Sequence, residues 1–180
     1  MHFNNYIFFT YIDNTNLENI TKFNKKVNII FRNYKKRFKN QDLAKLVHFC
    51  KKNKRKIYLA NDIKRAKILN FDGVYIPSFN KLSINYDKGI RDNFTILGSA
   101  HNMREVKIKK DQKIDIIFLS PLFKNNKNRD NLGIIKFNLL KQNFNNKFIA
   151  LGGINNQNKC MLKLLNVNGF AAISYFNGKN

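Results

Sequence analysis

The feature that most constrains this chain is a rhythm. Eight short apolar runs recur along its 180 residues, at 6–11, 27–32, 56–60, 73–77, 94–98, 114–119, 148–151 and 169–173. They do not alternate apolar with polar, so each reads as a strand buried on both faces, the kind found in parallel sheets covered by helices. Between them lie segments of helical period. Leu43, Ala44, Leu46, Val47 and Cys50 share one face over 41–52. Further helices are expected over 16–23, 63–69, 103–110 and from 134 to 140, while 83–91 reads as either a short helix or a loop. Eight strand–helix units predict a compact (β/α)8 TIM barrel in a single domain over 1–180, with an open doubly wound sheet as the competing architecture.

The run at 148–151 stops at Gly152 and Gly153, and Met161, Leu162, Leu164 and Leu165 follow at helical spacing. This predicts a strand, a two-glycine turn and a helix. Glycines let a backbone approach a ligand closely. The free amides of a turn and a helix start attract phosphate. Tight packing alone also calls for such a turn.

The formal charge is +23. That balance suits nucleic acid or an anionic membrane surface. Here, however, Lys and Arg are spread through nearly every segment. They accompany abundant Asn, Ile and Phe, residues with A/T-rich codons. A biased composition explains the charge without a specific nucleic-acid partner, and its field favours phosphorylated substrates. No apolar run is long enough to cross a bilayer, and 1–5 does not begin a secretory signal. The expected setting is cytoplasmic. Cys50 and Cys160 are too few and too far apart for a disulfide framework or a metal pair.

Both architectures put function at the C-terminal ends of the strands. Arg32, Asn61, Asp62, Asn80, Ser99, His101, Lys124, Lys127 and Ser174 all fall there, with the two glycines. Arg32 suits a phosphate contact, or a carboxylate on the rim. Asp62 suits Mg2+, or caps the helix behind it. Ser99 reads as a helix cap or a ligand, and Lys124 and Lys127 as solvated loop charges or phosphate contacts. His101 has no His or Cys partner for a metal site. Tyr58 and Tyr75 read as packing.

FRNYKK, LAND, GVYIP, GSAHNMREV, LSPLF, LGIIKF, LGGINNQN and GFAAIS occur in that order over residues 6–176. In sequence and spacing the chain resembles the thiamine phosphate synthase/TenI family. The resemblance implies a (β/α)8 barrel and the Mg2+-dependent joining of a pyrimidine diphosphate to a thiazole phosphate in thiamine biosynthesis. It implies that Arg32 and Asn61 contact the pyrimidine diphosphate, that Asp62 and Asn80 occupy the Mg2+ positions, and that Ser99 lies beside the pyrimidine. It puts Gly152, Gly153, Ile173 and Ser174 around the thiazole phosphate. Asn125 and Lys127 become substrate contacts, and Arg32, Ser99 and Lys127 the catalytic set. The departures are specific. The family's Gln and Lys flanking the arginine fall on Ile30 and Tyr34, its second metal carboxylate falls on Asn80, and the TenI catalytic His falls on Pro121. A divergent thiazole phosphate enzyme and a non-catalytic binder of phosphorylated thiamine precursors therefore stay open. The expected partners are small phosphorylated substrates, with no membrane and with a possible homo-oligomer.

Overall fold

A computed structural model describes residues 6–84, 93–124, 130–142 and 144–176. Strands β1 (Ile7–Ile12), β2 (Val27–Phe31), β3 (Ile57–Ala60), β4 (Gly73–Ile76), β5 (Thr95–Ala100), β6 (Ile116–Leu119), β7 (Lys147–Leu151) and β8 (Gly169–Ala171) pair in chain order, all parallel. β8 returns to β1 through Ile7, Phe8 and Phe9. The sheet is a closed barrel and not an open one. Helices α1 (Leu17–Thr21), α2 (Asn40–Lys52), α3 (Ile63–Ile68), α4 (Met103–Asp111) and α5 (Gly133–Gln142) cover it. The 83–91 segment falls mostly outside the described residues. No helix among the described residues is long and apolar enough to cross a membrane.

The expected helix after β7 forms as a 3-10 helix, Lys159–Leu164. With three residues per turn, Leu162 and the following Leu165 share one face, and these two are buried. Met161 and Leu164 are exposed. The single apolar stripe that a 3.6-residue period would make of all four is split into two rows by the tighter helix, and Met161 and Leu164 lie on the outer row.

Strand alternation splits the core in two. Phe9, Tyr11, Ile30, Tyr58, Tyr75, Leu97, Ile116, Phe118, Ile149 and Ala171 fill the barrel, and a larger set packs between strands and helices. The filling is aromatic. Phe9 meets Phe118 with ring centroids 5.0 Å apart, and Tyr75 meets both Tyr11 and Phe118 at 5.6 Å. Tyr58 and Tyr75 are packing residues, as expected. Cys50 is buried beneath α2, and burial pushes its thiol up to about 12; Cys160 is exposed, and both are free.

The Asn-rich composition is used in turns and caps. Asn16 and Asn102 cap α1 and α4. Asn24, Asn33 and Asn155 each accept from backbone amides two or three residues on, as Asx-turns do.

One device recurs at the other end of the barrel. The Asp72 amide donates to the Ile57 carbonyl at 2.9 Å, and the Ile57 amide returns to Asp72 Oδ2 at 2.8 Å. Asp115 and Ile96 repeat this at 2.9 and 2.7 Å, and Asn168 and Phe148 at 2.9 and 3.0 Å. Each clamp pairs the residue before an even strand with the start of the odd strand preceding it. Asp72→Ala should lower the unfolding free energy by about 1–2 kcal/mol, the cost of an unpaired strand-end amide. Asp72→Asn should lose less than half of that, because Asn168 performs the same task with a carboxamide. Urea unfolding checks this, and equal losses for both variants would show that charge, not acceptor geometry, holds the clamp.

Candidate active site

Arg32 is the first residue past β2. Its guanidinium carbon lies 4.2 Å from the centroid of the Tyr11 ring. The rim-carboxylate alternative is not what forms: the cation rests on an aromatic face. Burial pushes the Tyr11 phenol well above its ordinary range, with Tyr75 adding to the effect and Arg32 opposing it. The ring stays neutral beneath the guanidinium. A cavity of about 850 Å³ opens over this corner, lined by Lys22, Arg32, Tyr34, Lys35 and Ile173, with Asp13 as its carboxylate. Tyr34 stands edge-on to Phe79, centroids 5.4 Å apart, and both are exposed. An aromatic pair thus stands where the resemblance called for a lysine, while Lys35 supplies a cation to the cavity. Another cavity, of about 770 Å³, lies by Lys147 and Asn168 at the opposite end of the barrel, and no rim residue lines it.

At the ends of the next two strands, β3 and β4, the structure brings Asn61 and Asn80 together. Asn61 has φ +59°, a left-handed conformation that Asn tolerates better than most residues. Its amide donates to the Tyr75 carbonyl at 2.8 Å. Its Oδ1 accepts from Asn80 Nδ2 at 2.7 Å. Asn80 Oδ1 in turn accepts from the Leu82 amide at 3.1 Å. Asp62 is exposed and caps α3 through Oδ1, which accepts from the Arg65 amide at 2.9 Å. The cap is therefore real, and it occupies one carboxylate oxygen. Among the described residues, no group of three or more His, Cys, Asp or Glu side chains could hold a metal by itself. Asp62 is the carboxylate next in the chain to the Asn61–Asn80 pair.

Ser99 is not a helix cap. It is a buried residue of β5, two positions beyond the interior Leu97, and Asn102 caps the helix instead. The Glu105 amide donates to the Asn102 cap at 3.0 Å, and the Glu105 carboxylate accepts from the amide of His101, one residue before the cap, at 2.8 Å. The His101 ring ties three strand ends together. Its Nδ1 lies 2.7 Å from the Ser120 carbonyl oxygen, which can only accept, so Nδ1 carries a proton, and Nε2 lies 3.1 Å from Ser78 Oγ.

Sequence reasoning missed Lys109. It reads as part of a solvated helix face, yet it is fully buried, with Nζ donating to Pro77 O, Asn80 O and Gln112 Oε1 at 2.9, 2.8 and 2.8 Å. Burial lowers its pKa to about 8, and Glu105 opposes the shift. The available signal was spacing: Lys109 falls three residues after the buried Val106.

The glycine turn serves packing. Gly153 has φ +72°, and a Cβ there would lie 2.4 Å from the Phe123 carbonyl oxygen. The Leu122 and Phe123 amides donate to Leu151 and Gly152 at 2.8 and 3.1 Å. The turn is thereby stitched to the loop after β6, which begins with the cis bond Ser120–Pro121. Lys159, where the 3-10 helix starts, is well beyond the turn, so no long helix dipole aims at it. The amides of Gly153, Ile154, Ile173 and Ser174 donate to no acceptor among the described residues. Ile173 and Ser174 follow β8 and are exposed. Lys124 is an exposed loop residue, and Asn125 and Lys127 lie outside the described residues. Gly153→Ala should destabilise the fold by roughly 2–4 kcal/mol, combining left-handed strain with overpacking against Phe123. Thermal unfolding measures this, and a change within experimental error would show that the loop after β6 yields freely.

The sequence model of the thiamine monophosphate synthase family matches residues 17–176. Thiamine-phosphate synthase of Methanococcus vannielii is 28% identical over 127 residues, covering 69% of this chain and 61% of that protein. The same enzyme of Methanococcus maripaludis is 26% identical over 121 residues, covering 66% and 58%. The chain thus spans about three fifths of the length of these relatives. Among solved structures, thiamine phosphate pyrophosphorylase from Pyrococcus furiosus superposes with a TM-score of 0.74 at 18% identity, over 96% of this chain and 88% of that one. That likeness speaks for the barrel; the match along 17–176 speaks for descent. This chain belongs to the thiamine monophosphate synthase family.

Proposed function

We infer that this chain is a thiamine phosphate synthase, joining a pyrimidine diphosphate to a thiazole phosphate with release of pyrophosphate. The carbon–oxygen bond to pyrophosphate breaks with its electron pair leaving on oxygen. The resulting pyrimidine cation is captured by the lone pair of the thiazole nitrogen. Family membership and the relatives' names support the reading. The observation that carries it is the mouth cavity, in which Arg32, Lys22 and Lys35 collect cationic charge at the C-terminal end of the barrel. Leaving pyrophosphate accumulates negative charge, and fixed cations in a partly enclosed site stabilise it. Arg32, braced on Tyr11, suits that role. Ser99, buried in β5, supplies a hydroxyl beside the pyrimidine, and Lys127 is proposed as a further cation from the loop after β6. The amides of Gly153, Ile154, Ile173 and Ser174, without acceptors among the described residues, suit the thiazole phosphate.

The rim residues fit a weakly held Mg2+. That ion binds through one or two carboxylates plus substrate phosphates and keeps several waters. Asp62 would hold it, with Asn61 and Asn80 as neutral oxygen donors, and the ion would neutralise pyrophosphate as it leaves.

A second reading has its own observation. Asn61 Oδ1 and Asp62 Oδ1 are both engaged by protein donors, at 2.7 and 2.9 Å. A rim so committed suits a non-catalytic binder of phosphorylated thiamine precursors. TenI-type tautomerisation is disfavoured, because Pro121 occupies the position of its histidine.

A coupling assay with both substrates separates the readings. The expected result is equal formation of pyrophosphate and thiamine phosphate, stopped by chelating Mg2+. Asp62→Ala should cut turnover about 100-fold while changing thiazole phosphate affinity no more than about twofold. No product, with thiazole phosphate still raising the melting temperature, would favour the binder.

A further inference from the structure

Two buried cations in the described residues have different jobs. Arg55 donates to the Phe23, Asn24 and Val27 carbonyls, below β2 at the far end of the barrel. Lys109 donates at the mouth. Its stem runs against β5, where a Cβ on Gly98 would come within 3.2 Å of Lys109 Cδ, so the glycine makes room for it. An ammonium has three protons, and all three are used: Pro77 O, Asn80 O and Gln112 Oε1. Gln112 reinforces the same turn through Nε2, which donates to Asn80 O at 3.1 Å and Leu82 O at 2.6 Å. The 77–82 turn after β4 is therefore held from beneath by two side chains of the α4 segment. The turn presents Asn80, whose carboxamide reaches Asn61 at 2.7 Å.

A buried cation is costly unless fully hydrogen-bonded. Turns elsewhere in this fold are stapled by neutral donors, and in one case, far from the mouth, by the buried Arg55. What distinguishes this turn is what it carries. We propose that Lys109 is a positioning residue of the substrate site, acting through Asn80 to set the Asn61–Asn80 pair at the pyrophosphate side of the rim. Its spent protons exclude direct contact with substrate. The proposal rests on reading the rim as the pyrophosphate site, and it adds a residue to that site.

The test uses wild type, Lys109→Met, Asn80→Ala and the double variant. Calorimetry reads affinity for inorganic pyrophosphate in Mg2+ buffer, and kinetics read KM for each substrate. Lys109→Met should weaken pyrophosphate binding about tenfold and leave KM for the thiazole phosphate within about twofold. The double variant should bind no worse than the weaker single variant, because both changes break one linkage. Losses that multiply, or no loss in Lys109→Met, overturn the proposal. Should Lys109→Met fail to fold, Gln112→Leu frees the same turn while keeping the ammonium, and the same non-multiplying loss with Asn80→Ala is expected; its absence is equally fatal. Wild type that binds pyrophosphate but makes no thiamine phosphate overturns the synthase reading alone. Wild type that binds no millimolar pyrophosphate overturns the site and the proposal together.

Discussion

A parallel sheet of short strands leaves two rows of backbone groups unpaired unless it closes on itself. Here closure depends on the seam between β1 and the three-residue β8. The approach is close: a Cβ on Gly169 would lie 1.9 Å from the Ile7 carbonyl oxygen, so only glycine fits. Closure also creates an interior that must be filled, and voids cost stability. Phe9, Tyr11, Tyr58, Tyr75 and Phe118 fill it with interlocked aromatic rings. The top of that plug, Tyr11, is the surface on which Arg32 rests. The packed core thus extends directly into the candidate site.

The rim has two chemically different halves. The β1–β2–β8 side gathers cations around a cavity. The β3–β4 side carries the Asn61–Asn80 carboxamide pair and, next in the chain, the Asp62 carboxylate that caps α3. The proposed reaction expels pyrophosphate and would need charge neutralised on departure, for which a chain of formal charge +23 is suited. Where the resemblance implies a second metal carboxylate stands Asn80, and Lys109 and Gln112 hold its turn from beneath. On this account, the neutral Asn80 depends on being held in place, since it has no charge with which to attract an ion.

The glycine turn shows how one motif can satisfy two demands. Gly152 and Gly153 let β7 run against the loop after β6, a packing requirement. The same bend leaves the Gly153 and Ile154 amides without acceptors among the described residues. Packing and phosphate recognition are not alternatives here, because the first exposes the groups the second would use.

The barrel was legible in the sequence. Strands buried on both faces must be continuously apolar, so eight such runs mark a parallel sheet covered on both faces; that the sheet closes, and does not stay open and doubly wound, is decided by the β8–β1 pairing. The locations of Arg32, Asn61, Asp62, Asn80 and Ser99 near the strand ends were legible for the same reason. Their states were not. Whether Arg32 meets a carboxylate or a ring, whether Ser99 caps a helix or faces the barrel, and whether Asp62 is free or capping are settled by neighbours far away in the chain. The clamps through Asp72, Asp115 and Asn168 looked like ordinary turn residues, because their partners sit in the strand before. Lys109 was the least visible, since a lysine in a polar helix is ordinarily solvated and only the folded turn at 77–82 supplies its three acceptors. The sequence alone determines which residues must be inside and where the strand ends fall, because burial follows local pattern; tertiary structure decides what each polar side chain bonds, because those partners are brought together only by closing the barrel.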